Sequence, residues 1–92
     1  MTTQYAYFRE RVPLATIEAI PNETLSAYLA AHGWSRRENW RGAECWDKGE
    51  RRALVVDAKF ADRNLSHCET LQAIADDLGC SVRVVLRELG RA

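Results

Sequence analysis

Three groups of side chains in this sequence have the types and spacing to do chemistry. The first is Asp47 together with Asp57-Ala58-Lys59, which closes the apolar run Leu54-Val55-Val56. Two carboxylates that converge on Mg²⁺, with a lysine beside the attacking water or the leaving charge, make the machinery of metal-assisted hydrolysis. The second group is His67-Cys68 with Cys80 and His32. Zinc takes four such ligands, commonly as tight local pairs. Adjacent helical residues point about 100° apart, so His67 and Cys68 do not share one ion. Cys68 and Cys80 read as small core residues, and no metal or other cofactor is expected. The third group runs from 34 to 52, where Arg36, Arg37, Arg41, Arg51 and Arg52 are interleaved with Glu38, Glu44, Asp47, Glu50 and three tryptophans. Arginine and tryptophan dominate protein–protein hot spots because one forks onto carboxylates and the other buries a large rigid ring. Arg36, Arg37, Trp40, Arg41, Trp46 and Arg51 are therefore the candidate protein-contact residues.

Two of these segments resemble known families. Asp47 with Asp57-Ala58-Lys59 resembles the core of the PD-(D/E)xK nucleases, which implies a Mg²⁺-dependent nuclease with the carboxylates on the metal and Lys59 on the reacting charge. The proline before the first acid and the fourth core strand of that family are missing. Residues 71–90 resemble a DNA-reading helix-turn-helix. Ala75 is small where two helices would cross, Gly79 permits the turn, and Ile74, Leu78, Val85 and Leu86 supply a core. That resemblance implies a sequence-specific regulator in which Ser81, Arg83, Val84 and Arg87 face the DNA, the arginines reaching guanine edges. Charge runs against it: residues 66–92 carry a net −1, whereas DNA affinity draws heavily on neutralised phosphates. Glu88 also stands where that family places a packed apolar residue. The α-β-β-β-α order resembles a double-stranded-RNA-binding fold as well, but the expected basic helix start reads Asn64-Leu65-Ser66-His67-Cys68-Glu69. Small toxin ribonucleases share that order around a catalytic histidine; His32, next to Trp34, reads as structural. Neither nuclease nor helix-turn-helix resemblance extends over the whole chain.

These residues need elements to position them. An edge strand is expected over 4–12, with Tyr5, Tyr7 and Phe8, ending at Pro13, and one or two helical turns follow before Pro21. Asn22 is placed to cap a helix over 23–32, with Leu25, Tyr28, Leu29 and His32 on one face. Three segments, 34–40, 43–47 and 51–57, are divided by Arg41-Gly42 and Lys48-Gly49-Glu50, which predicts an antiparallel meander. Leu54-Val55-Val56 makes its last strand the expected most buried one, and most of the tryptophans are expected on the core face. Ala58–Leu65 reads as a loop. Ser66-x-x-Glu69 then forms a capping box for a helix over 67–78, and Ser81 caps a last short helix that ends at Gly90. The expected architecture is one α+β domain over 1–92, a three-stranded antiparallel meander packed against two helices in the order α-β-β-β-α-α. Its parts are an N-terminal segment over 1–21, a helix and meander over 22–65, and a helix pair over 66–92.

Bulk properties narrow the function. Thirteen basic and thirteen acidic residues cancel, so no phosphate-binding surface dominates. Eleven of the cations are arginine, which suits specific bidentate contacts. Three cysteines cannot all pair and none forms a C-x-x-C, as in a reducing compartment. With no signal-peptide pattern and no apolar run of membrane-spanning length, a cytoplasmic location is expected. The reading that follows is a small non-enzymatic protein-binding module, an inhibitor, adaptor or regulatory subunit. It docks on another protein and is able to pair with its own copy, a role common among short phage and mobile-element proteins. The DNA-binding regulator is the alternative and the nuclease the third.

Overall fold

The computed structural model describes residues 12–90. The expected strand over 4–12 lies outside the described residues except for Val12, which is buried. Helix α1 (Leu14–Glu18) and helix α2 (Asn22–Ala31) lead into strands β1 (Ser35–Arg36), β2 (Ala43–Lys48) and β3 (Arg51–Val56). Helices α3 (Arg63–Leu78) and α4 (Val82–Glu88) follow. The sheet is an antiparallel meander in the order β1-β2-β3, so the architecture is α+β as expected.

Both hairpins are two-residue turns whose backbone twist matches that of the strands. Arg41 and Gly42 both have positive φ, +50° and +80°. Gly42 is needed for a second reason, because a Cβ there would lie 2.7 Å from the Phe60 ring. At the other hairpin Gly49, at φ +60°, precedes Glu50. One face of the sheet is internal. Trp46 and Ala53 are register partners on it, and Val55 follows two residues on. Val55 packs in one buried cluster with Leu25 and Leu29 of α2, Leu71, Ile74 and Ala75 of α3, and Val82, Val85 and Leu86 of α4.

Two local expectations differ from the structure for one reason, that a polar side chain has a better partner across the core than along its own helix, and a third differs for another. Asn22 is not a cap but the first residue of α2. Its Nδ2 donates to the Val56 carbonyl at 2.8 Å, and its Oδ1 accepts from Arg63 Nε at 3.2 Å. Ser66 is likewise not a cap. Helix α3 begins at Arg63, and Ser66 Oγ donates to the Leu54 carbonyl at 3.2 Å. The earlier start is fixed by Arg63, whose guanidinium donates to the carbonyls of Ile17, Glu18 and Ile20 and ties the end of α1 to the first turn of α3. The third departure is Leu54. The run 54–56 is not uniformly buried, since strand alternation turns Leu54 outward to 37% exposure while Val55 is 2% exposed.

Candidate functional site

The outward face of the sheet carries Arg37, Cys45, Asp47, Arg52 and Leu54, all exposed or half-buried, while Ala43 and Val56 at the far end of the same face are buried. A β-bulge decides what joins them. Arg37 N–H donates to the Cys45 carbonyl at 2.8 Å, while Trp40 is bridged to Ala43. Two residues beyond the end of β1, Glu38 and Asn39, are thus set against Glu44 alone. Unbroken alternation would put Trp40 on the side of Arg36 and Trp46, facing the core. The extra residue turns it outward, where it is 59% exposed. Trp34 and Trp46, on the inner side, are 4% and 6% exposed.

Trp40 stands in a shallow depression of about 1150 Å³. The Arg41 guanidinium lies 5.0 Å from its ring centroid. Across the depression, Asp47 sits between Arg37, at 3.0 Å, and Arg52, at 3.8 Å. One carboxylate between two arginines leaves a surplus of positive charge on this face. Arg36 sits at its margin, bonded to Asn39 Oδ1 at 3.0 Å.

The structure therefore brings together Arg37, Trp40 and Arg41, with Arg36 at their border. Trp46 instead belongs to the core, its Nε1–H donating to Glu44 at 3.1 Å. Arg51 extends from the inner side and lies 3.8 Å from Asp77. The sequence reading named Arg52 in the arginine group but left it out of the contact residues, and it missed Leu54. The register that pairs Asp47 with Arg52 and the period-two alternation of β3 were the signals that point to them.

The other candidate groups are placed differently. Asp47 pairs across the sheet with Arg52, and Asp57 follows Val56, the partner of Ala43. About five residues of strand, roughly 16 Å at strand rise, separate the two carboxylates, too far to share one Mg²⁺. Asp57 Oδ1 instead accepts the Lys59 N–H at 3.1 Å, and Lys59 lies over the Phe60 ring. On α4, Val82, Val85 and Leu86 are buried, while Arg83, Val84 and Arg87, and Ser81 just before the helix, are exposed. Glu88, on that helix, accepts from the Tyr28 hydroxyl and lies 3.9 Å from His32 Nε2. His32 stacks on Tyr28 with ring centroids 4.1 Å apart. Burial, then the bond to Glu88, raises the Tyr28 pKa well above its ordinary value. This cluster pins α4 to the end of α2.

His67 is fully buried. Its Nε2 lies 3.2 Å from the Ile20 carbonyl, which requires that nitrogen to carry the proton, and Nδ1 has no partner among the described residues. Burial, reinforced by the Arg63 charge and only partly offset by the bond to Ile20, lowers its pKa to about 4. Cys68 is buried beside it, Cys80 is half-buried, and among the described residues no three His, Cys, Asp or Glu side chains gather as a metal ion would need. Among the same residues no helix is long and apolar enough to cross a membrane. No protein family, curated protein or solved structure matches the chain.

Proposed function

We propose that the chain is a non-enzymatic protein-binding module, an inhibitor, adaptor or regulatory subunit, that docks on another protein through the outer sheet face around Trp40. The observation that carries this reading is an indole held 59% exposed by a backbone bulge, with one arginine stacked on it and others beside it. A bulge adds an unpaired residue to a strand, and here its effect is to present a side chain that regular pairing would bury. Covering that ring would release about 3 kcal/mol of apolar transfer free energy. The arginines around it supply orientation and discrimination more than raw affinity.

The test is affinity capture from the native host with the tagged chain, with and without nuclease treatment, followed by mass spectrometry. A stoichiometric protein that survives nuclease, and that Trp40→Ala and Arg37→Glu both release, is the expected result. Retention of that protein by both variants refutes this face.

A DNA-binding regulator is the second reading, favoured by one observation: Arg83, Val84 and Arg87 share the outward side of α4. It requires duplex affinity that falls steeply with salt and is lost in the Arg83→Ala/Arg87→Ala double variant.

A further inference from the structure

The two edges of the sheet are finished differently. In an antiparallel pair, alternate residues turn both backbone polar groups toward the partner strand and the residues between turn them away. The two-residue turn between Lys48 and Arg51 makes Arg52, Leu54 and Val56 the outward-turned residues of β3. Helices seal that edge. Thr70 Oγ1 accepts the Leu54 N–H at 3.3 Å and donates to the Leu54 carbonyl at 2.7 Å, Ser66 Oγ donates to the same carbonyl, and Asn22 caps the carbonyl of Val56. At the opposite edge, the bond from Arg37 N–H to Cys45 makes Arg36 the outward-turned residue of β1. Among the described residues nothing bonds its N–H or C=O, and 35–39 are all exposed.

We infer that a partner protein adds an extended acidic segment to the β1 edge as a fourth strand, its backbone pairing with Arg36 and its side chains meeting Trp40 and the surrounding arginines. This inference rests on the protein-binding reading and names the kind of partner it takes. Backbone pairing supplies affinity in strand addition, and alternate side chains supply choice. Charge selects the occupant. The edge and outer face hold Arg36, Arg37, Arg41 and Arg52 against Glu38 and Asp47, on a chain that is neutral overall. A segment with Asp or Glu at alternate positions satisfies Arg36 and Arg41, which meet no carboxylate among the described residues, and an apolar residue between them covers Trp40. A second copy of this chain does not fit: two β1 edges joined about a twofold axis would bring arginine against arginine, and like charges opposite each other destabilise a strand pair.

The experiment selects a display library of short random peptides on the intact chain, then follows amide hydrogen exchange of the chain with a selected peptide. Expected are peptides rich in Asp and Glu at alternate positions, slowed exchange at the Arg36 amide, and loss of binding when alternate peptide nitrogens are methylated. Reversal of charge in Arg36→Glu or Arg41→Glu should weaken a selected peptide roughly tenfold. Enrichment of neutral or basic peptides, indifference to N-methylation, or an Arg36 amide already protected in the free chain would each overturn the inference. A cellular partner released by Trp40→Ala but leaving Arg36 exchange unchanged would end strand addition and keep the protein-binding reading. The absence of any captured protein or peptide would end both.

Discussion

His67 makes this protein sensitive to acid in a way that one substitution should remove. In the folded chain its ring is neutral, with Nε2–H on the Ile20 carbonyl and, among the described residues, no acceptor facing Nδ1. Protonating Nδ1 would place a charge in the core beside Arg63. The folded pKa is therefore depressed to about 4 from 6.5. Between those values the unfolded chain binds a proton that the folded chain refuses. Stability from this group is complete above the unfolded pKa and is lost as pH falls toward the folded one. From pH 7.5 to 5.0 the loss is about 2 kcal/mol, tending to about 3 kcal/mol at lower pH. For a domain of this size that is a large share of total stability and lowers Tm by roughly 8–16 °C. The assay is urea unfolding followed through the fluorescence of buried Trp34 and Trp46, from pH 7.5 to 5.0, on the native chain and on His67→Gln. The glutamine keeps a donor for Ile20 and does not titrate, so carboxylate contributions common to both chains cancel in the difference. Convergence of the two stabilities as pH falls is expected. Parallel curves, with a difference changing by less than about 0.5 kcal/mol, would refute the account of His67.

Other substitutions test other joints of the structure. Arg63→Ala should destabilise the chain by roughly 2–4 kcal/mol in denaturant unfolding, because the carbonyls of Ile17, Glu18 and Ile20 lose their donor, and Arg63→Lys should recover less than half of this because an ammonium cannot fork. Thr70→Val keeps the side-chain shape but strips the cap from Leu54; a loss of about 1–3 kcal/mol, with light-scattering evidence of self-association through the uncovered β3 edge, is expected. An unchanged midpoint and a clear solution would show the edge is protected otherwise. Arg41→Gly relieves a left-handed residue and should raise stability by about 0.5–1 kcal/mol while weakening any ligand held at Trp40. Trp40→Ala should move the unfolding midpoint by no more than about 0.5 kcal/mol, since the ring lies largely outside the core; a larger loss would make Trp40 a structural residue.

What the sequence determined by itself was local and periodic. The i, i+3, i+4 spacing in 25–29, 71–75 and 82–86 identified the core faces of three helices, although Leu78, expected on the same stripe, is 39% exposed, and the Gly-bearing turns at 41–42 and 49–50 set the meander, because turn chemistry and side-chain periodicity need no knowledge of distant residues. The candidate site was legible in its composition and in Arg37, Trp40 and Arg41. The tertiary structure alone decided which tryptophan is offered: the three are equivalent in sequence, and a single extra residue opposite Glu44 reverses the face of one. It also decided that Asn22 and Ser66, good caps in isolation, serve the sheet instead, and that Leu54 leaves the core its neighbours join. These outcomes depend on which unpaired backbone groups lie across the core. A carbonyl left open by strand order at Leu54 or Val56 recruits a side chain some twelve to thirty-four residues away, and only the folded chain brings the two together.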